Sequence, residues 1–127
     1  MESIYESKQS IDDIAAALAA LGQPTRLRIV RLLLSAHPKG LPVGEIQSEL
    51  GIAAATLSHH LDKLRQVSIV AAEKDRQWIW YSVRSEALKY LIDFLFEECC
   101  TRNRVVDIKD MEFIHVHDDG RHFVCCD

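Results

Sequence analysis

Residues Leu41 to Val67 read LPVGEIQSELGIAAATLSHHLDKLRQV. This stretch predicts two short helices joined by a tight turn, the first from about Val43 to Leu50 and the second from about Ala53 to Val67. Pro42 stands where a helix start tolerates proline. Gly51 can adopt the left-handed conformation that ends a helix. The turn therefore falls between two apolar segments.

The second of these helices has one apolar and one polar face. Its leucines at 57, 61 and 64 are spaced four and three apart, so they form a single stripe. The opposite face carries hydroxyl, imidazole and basic side chains: Thr56, Ser58, His59, His60, Lys63 and Arg65. A short helix, a glycine turn and a second helix of this kind form the helix-turn-helix pattern.

Past Val67 the apolar period changes from helical to alternating. Two strands are predicted, Ile69 to Lys74 and Trp78 to Val83, linked by residues 75–77. A hairpin directly after a recognition helix predicts a wing, so the fold class is mainly α with a small β-hairpin wing. Arg76 at its tip is expected to reach a phosphate or the minor groove. The alternative is a solvated turn residue.

Two helices are predicted before this stretch. The first, Ser10 to Leu21, carries apolar residues at helical spacing: Ile11, Ile14, Ala15, Leu18 and Leu21. The second runs from Pro24 to Ala36, with a buried stripe of Leu27, Val30, Leu33 and Leu34.

A last helix is predicted from Glu86 to about Arg102, with Ser85 as its N-cap. Its stripe consists of Leu88, Leu91, Ile92, Leu95 and Cys99, widened by Phe94 and Phe96. This helix and the first one carry more apolar surface than one chain would leave exposed. We therefore expect a homodimer through the first and last helices. Packing of these two helices within one chain is the alternative.

The chain has 127 residues, enough for one domain at 10–102 and a C-terminal tail at 103–127. Its net charge is −4, but residues 22–84 hold nine Lys/Arg against five Asp/Glu, so the basic part contains the helix-turn-helix. Neither a phosphate loop nor a nucleophile–base pairing is recognisable, so no enzyme is expected. The acidic start and the lack of an apolar run of ~20 residues predict a cytoplasmic protein without a membrane anchor.

Three elements carry a family resemblance. Residues 21–29 (LGQPTRLRI), residues 58–64 (SHHLDKL) and the hairpin ending at Tyr81 resemble the ArsR/SmtB family of bacterial metal-responsive repressors over roughly residues 11–100. The resemblance implies a winged helix-turn-helix, a homodimer built on the first and last helices, and binding to an inverted-repeat operator. It also implies repression that an effector relieves.

By position, the resemblance implies that the major groove receives Thr56, Ser58, His59 and His60, while Lys63 mainly contacts phosphate. The chain departs from the family in three places. The wing lacks the glycine common at its tip. The helix at 43–50 lacks the Cys-X-Cys of arsenic and cadmium sensors, and the last helix lacks the Asp-X-His of zinc sensors.

The four cysteines form two adjacent pairs, Cys99-Cys100 and Cys125-Cys126. Without an export signal, such pairs suggest metal or redox chemistry, and thiolates select soft ions. The family includes arsenic sensors with adjacent cysteines at the end of the last helix and a third cysteine soon after. Here the third thiolate would come from the tail or from a partner chain, and As(III) or Sb(III) is the expected effector.

The tail predicts a small hairpin around Asp119-Gly120, with His117 opposite His122. Three alternatives to arsenic sensing stay open. A tail cysteine with His115, His117 and His122 could hold zinc. Cys99 or Cys100 could form a regulatory disulfide or polysulfide with a tail thiol, or Cys99 could be a core residue. From another class, the chain could be a thiol-redox protein whose winged helix serves only protein interactions.

Overall fold

A computed structural model describes residues 10–102, together with the backbone of 114–116 and 122–124. Residues 10–102 form five helices and a three-stranded sheet, whose bounds are α1 Ile11–Leu21, α2 Pro24–Ser35, β1 Leu41–Pro42, α3 Val43–Leu50, α4 Ala54–Gln66, β2 Val70–Asp75, β3 Trp78–Val83 and α5 Ser85–Phe96. The two tail strands are β4 Ile114–Val116 and β5 His122–Val124. The winged helix-turn-helix fold class is therefore confirmed.

The helix pair at the centre of the sequence follows the prediction closely. Gly51 ends α3 in the left-handed conformation with φ 63°. Leu57, Leu61 and Leu64 of α4 are 0%, 1% and 0% exposed, so the predicted stripe is the buried face. That stripe anchors α4 in the core, and α4 contacts α1, α2 and β2.

α1 buries a different face from the predicted one. Ser10 caps it, because its hydroxyl accepts a hydrogen bond from the Asp13 N–H and the Asp13 carboxylate accepts one from the Ser10 N–H. The buried residues are Ile14, Ala17 and Ala20, whereas Ile11 is 70% and Leu18 37% exposed. Small alanines allow neighbouring helices to approach closely, so the larger side chains are left for another surface.

The predicted stripe of α2 is half wrong. Val30 and Leu33 are buried as expected, but Leu27 is 47% and Leu34 39% exposed. Ile29, which the prediction left out, is fully buried. Apolar residues surround most of this helix, so periodicity alone did not identify the face that packs against the core.

The sheet has the strand order β1-β3-β2, and both pairings are antiparallel. Asp75 pairs with Trp78, which leaves residues 76–77 as a two-residue turn and confirms the wing. Strand β1 was not predicted, because two residues carry no periodic signal. It lies beside β3 with Leu41 opposite Tyr81.

Gly40 makes this strand possible. It is buried, has φ +81°, and its N–H donates to the Ala36 carbonyl at 2.8 Å. A Cβ at this position would overlap the carbonyl oxygen of Tyr81 and lie 2.8 Å from the Cα of Ser82. The close approach of two backbones therefore requires glycine.

α5 is shorter than predicted. It ends at Phe96, and residues 97–102 form turns in which the Cys99 N–H donates to the Phe96 carbonyl at 2.9 Å. Arg84 precedes its first turn and accepts from the Ala87 N–H, so Arg84 rather than Ser85 is its N-cap. Leu91 is buried, whereas Ile92 is 40% and Leu95 60% exposed.

The chain divides into two compact units between Leu88 and Lys89. The domain bounds predicted from the sequence, 10–102 and 103–127, stay a prediction. In the tail, His122 pairs with Val116 instead of His117. The predicted pairing of His117 with His122 was therefore wrong by one position of register, and the predicted Asp119-Gly120 turn lies outside the described residues. None of the helices in the described residues has the length and apolar character that crossing a bilayer requires.

We predict that Gly40→Ala lowers the free energy of unfolding by at least about 2 kcal/mol, because left-handed strain adds to a backbone clash. Gly44→Ala is the matched control. Nothing lies within 4 Å of the Cβ it would add in α3, so it should raise stability by about 0.5–1 kcal/mol. Urea unfolding at one fixed protein concentration measures both. Equal stability of the two variants would contradict the role of Gly40.

Candidate functional site

The outward face of α4 carries most of the side chains predicted to meet DNA. Thr56, Ser58, His59 and Lys63 are exposed. His59 and Lys63 stand four residues apart, so they share one side of the helix with Thr56, three residues before His59. Arg65 is also exposed. The face therefore offers hydroxyl, imidazole and ammonium groups together, the set that hydrogen-bonds base edges and phosphates.

His60 differs from its neighbours on α4. It is partly buried, and its Nδ1 lies 3.2 Å from Nη1 of Arg26 in α2. The Arg26 Nε donates to the carbonyl oxygen of Ala20 at 2.8 Å, near the end of α1. Burial, followed by the charges of Arg26 and His59, lowers the pKa of His60 below its ordinary value of 6.5. One ring nitrogen of a predicted DNA-contacting residue is thus already engaged.

The sequence did not predict this contact. In the sequence, Arg26 belongs to the LGQPTRLRI segment of residues 21–29, which carries part of the family resemblance. No spacing rule connects it to a residue 34 positions later. By contrast, the contact of Arg26 within α2 is local. The Gln23 side chain caps the helix by accepting a hydrogen bond from the Arg26 N–H at 2.8 Å. The long-range contact depends on how three helices meet.

Arg76 occupies the tip of the wing. It is exposed and has φ 59°, a left-handed conformation that disfavours residues with a Cβ. At the base of the wing, the Lys39 Nζ lies 4.5 Å from the centre of the Trp80 ring. Lys39 and Trp80 line one open cleft of about 300 Å³ with Lys74. Lys39 was not predicted from the sequence to line a cleft beside the wing.

Cys99 and Cys100 are brought together at their sulfurs. Their Sγ atoms lie 3.3 Å apart, both side chains are partly exposed, and both residues carry a thiol rather than a disulfide. Side chains on consecutive helical residues point ~100° apart. Here the chain has left the helix and Cys100 has φ 62°, so that angular separation does not apply.

The hydrogen bond with Cys100, followed by burial and the charge of Cys100, raises the pKa of the Cys99 thiol. Cys125 and Cys126, the other two predicted ligands, lie outside the described residues. Within the described part of the chain, no three His, Cys, Asp or Glu side chains converge on a metal site. The described residues therefore include two of the four predicted thiol ligands, and the sulfurs of these two lie close together.

A helix-turn-helix domain family matches residues 21–72. The HTH-type transcriptional regulator YgaV of Escherichia coli (strain K12) is 32% identical over 100 residues, which cover 79% of this chain and 99% of YgaV.

Three solved structures extend the comparison. HlyU from Vibrio cholerae N16961, a transcriptional activator by name, has a TM-score of 0.57 and 29% identity over 74% of this chain and 99% of its own. A second structure, described as reduced HlyU from the same source, has a TM-score of 0.55 and 31% identity over 70% of this chain and 90% of its own. A protein described as a possible transcriptional regulator for arsenical resistance has a TM-score of 0.56 and 27% identity over 67% of this chain and 84% of its own.

The lowered pKa of His60 predicts a pH dependence of folding. Between that lowered pKa and 6.5, the unfolded chain binds more protons at this position than the folded chain does. Stability should therefore fall as the pH drops through this window. His60→Gln should remove that part of the slope in urea unfolding between about pH 7.5 and about pH 5.5. An identical pH dependence in both proteins would contradict it.

Arg76→Gly should separate folding from DNA binding. Glycine relieves a left-handed strain of about 1–2 kcal/mol, so the variant should be at least as stable as the wild type. Loss of one phosphate contact should lower the slope of log affinity against log salt by about one unit. Fluorescence anisotropy with a duplex at several salt concentrations measures the slope. An unchanged slope would identify Arg76 as a solvated turn residue.

Proposed function

Because the chain belongs to the winged helix-turn-helix transcriptional regulators of the ArsR/SmtB type, we propose that it is a cytoplasmic, homodimeric repressor of a metalloid-resistance operon. As(III) or Sb(III), bound by cysteine thiolates, releases it from its operator. The observation that carries this proposal is the convergence of the Cys99 and Cys100 sulfurs at 3.3 Å. Repression is part of the proposal, since the relative HlyU is named an activator.

The dimer is supported by apolar side chains that one protomer leaves in water. α1 exposes Ile11 and Leu18, and α5 exposes Ile92 and Leu95. A two-fold dimer buries the same surface of both copies, so a second chain accounts for both helices at once. Two recognition helices would then meet two half-sites about one DNA turn apart, near 34 Å.

The donor chemistry favours arsenic over zinc. With a metal–sulfur bond of about 2.3 Å, two sulfurs at this separation subtend roughly 90° at the ion. That angle is smaller than the tetrahedral angle of a zinc site and closer to a three-thiolate pyramid. The angle therefore supports arsenic as the bound ion.

The proton balance of binding points the same way. Zinc binds thiolates, so its binding must release the thiol protons. Arsenous acid instead condenses with three thiols and releases three molecules of water, with no net release of protons. In our proposal the third thiol is Cys125 or Cys126, from the same chain or its partner.

Release from DNA would begin directly after α5. An ion that joins Cys99 and Cys100 to a tail thiol would draw the tail toward the end of a dimerisation helix. The dimer seam would shift, and with it the separation of the two recognition helices. A coupling free energy of about 1–3 kcal/mol between effector and operator is enough to change occupancy severalfold or more.

A second candidate is repression controlled by thiol oxidation. The same pair of thiols supports it, and a relative of this chain is known in a form described as reduced. Oxidation by a peroxide or a polysulfide would join Cys99 or Cys100 to a tail thiol, because a bond between adjacent cysteines is strained. A zinc site of tail histidines (His115, His117 and His122) with a tail cysteine is a third reading.

Stoichiometric arsenite should lower the operator affinity of the wild-type protein by about tenfold or more, which corresponds to roughly 1.4 kcal/mol. Cys99→Ser and Cys100→Ser should each bind DNA normally and lose the response. Cys125→Ser and Cys126→Ser form the matched pair, since only the variant that removes the third ligand should lose it. Full operator affinity in arsenite for the wild type would exclude the proposal.

Native mass spectrometry of the same proteins separates the candidates. Arsenite, antimonite, zinc and hydrogen peroxide are added in turn, and the preferred adduct is read as a mass per dimer. An arsenic adduct that displaces three thiol hydrogens supports the proposal. A mass loss of two hydrogens with peroxide, together with no arsenic adduct, supports control by oxidation.

A further inference from the structure

Arg26 ties three helices together close to the DNA-reading surface. From α2, its Nε donates to the Ala20 carbonyl of α1 at 2.8 Å, and its Nη1 lies 3.2 Å from the His60 Nδ1 of α4. Its own N–H donates to the Gln23 side chain at 2.8 Å. With the arginine held at its backbone and at Nε, its Nη1 has a defined position relative to α4.

The chemistry of this contact decides the state of the imidazole. A guanidinium has only donors, so the His60 nitrogen facing it has to accept. A neutral imidazole that accepts at Nδ1 carries its proton at Nε2. Burial, followed by the charges of Arg26 and His59, lowers the His60 pKa and so acts in the same direction, toward the neutral ring.

We propose that Arg26 is a positioning residue that fixes the tautomer of His60, so that α4 presents a neutral imidazole whose Nε2–H donates a hydrogen bond to operator DNA. The inference rests on the role of α4 as the DNA reader. A donor at this position selects acceptors, namely purine N7, guanine O6, thymine O4 or a phosphate oxygen. It disfavours the exocyclic amino groups of cytosine and adenine, which are donors themselves.

The neighbours of His60 differ from it in this respect. Thr56 and Ser58 carry hydroxyl groups that rotate to donate or accept, and they are exposed. His60 is partly buried and has one nitrogen engaged, so it combines a fixed ring with a fixed donor. Unlike the two hydroxyl groups, it therefore has a hydrogen-bonding sense that is set before DNA arrives.

The tautomer is tested by nitrogen-15 NMR of histidine-labelled protein without DNA. In the wild type, the His60 signals should show a protonated Nε2 and an unprotonated Nδ1. Arg26→Met should give a mixture of tautomers, whereas the control Arg28→Met, at an exposed position on the same helix, should keep the wild-type pattern. A protonated Nδ1 in the wild type overturns the proposal, and that spectrum decides even if Arg26→Met fails to fold.

The donor role is tested with two substitutions that each keep half of the imidazole. His60→Gln places an amide near the Nε2 position, and His60→Asn places one near the Nδ1 position. Against a duplex selected from a random-sequence pool by the wild type, Gln should retain affinity within about twofold and Asn should lose roughly tenfold. Equal affinities, or the reverse order, would show that the contact with Arg26 only holds α4 in place.

Neither measurement contains arsenite, so failure of the effector proposal leaves this result standing. If the arsenite response holds and the wild-type spectrum shows Nδ1–H, only the tautomer proposal is lost. A wild-type protein that enriches no duplex from the pool overturns both, because α4 would then not read DNA.

Discussion

Burial of the leucine stripe of α4 is the constraint on which the DNA-reading surface depends. Leu57, Leu61 and Leu64 are almost fully removed from water, and each such side chain contributes on the order of 1.5–3 kcal/mol. Because burial of this stripe fixes the rotation of α4 about its own axis, it also fixes the direction in which the opposite face points. Thr56, Ser58, His59 and Lys63 are exposed because the leucines are not. The direction of the polar face is therefore a consequence of apolar packing.

The leucines do not explain why His60 is held. Its position on α4 lies between the buried stripe and the exposed face, where an imidazole is neither core nor fully solvated. A partly buried polar group needs a hydrogen-bond partner, since leaving it unpaired costs about 1–3 kcal/mol. Arg26 supplies that partner, and the Ala20 carbonyl orients Arg26 in turn. At the boundary of the core, the Arg26–His60 contact therefore adds to the packing of the leucine stripe in fixing the position of α4.

The sequence predicted best what depends on neighbours in the chain. The α4 stripe and the Gly51 turn follow from local spacing, as does the wing, and all three are found. The predicted buried face of α2 was partly wrong, because the apolar side chains of this helix point in most directions and only its packing partners select which of them are buried. Strand β1 and the Arg26–His60 contact were missed for the same reason, since β1 exists by pairing with β3 and the contact joins residues 34 positions apart.

The arrangement of the Cys99 and Cys100 thiols depends on where α5 ends. A helix continued to Arg102 would have separated the Cys99 and Cys100 side chains by ~100°, so that one ion could bind both only by distortion. Ending α5 at Phe96 removes that restraint, and the left-handed φ of Cys100 accompanies sulfurs 3.3 Å apart. A non-glycine residue in this conformation costs of order 1–3 kcal/mol. A ligand or an oxidant that joins the sulfurs to a third thiol would therefore act on a segment whose backbone is already strained.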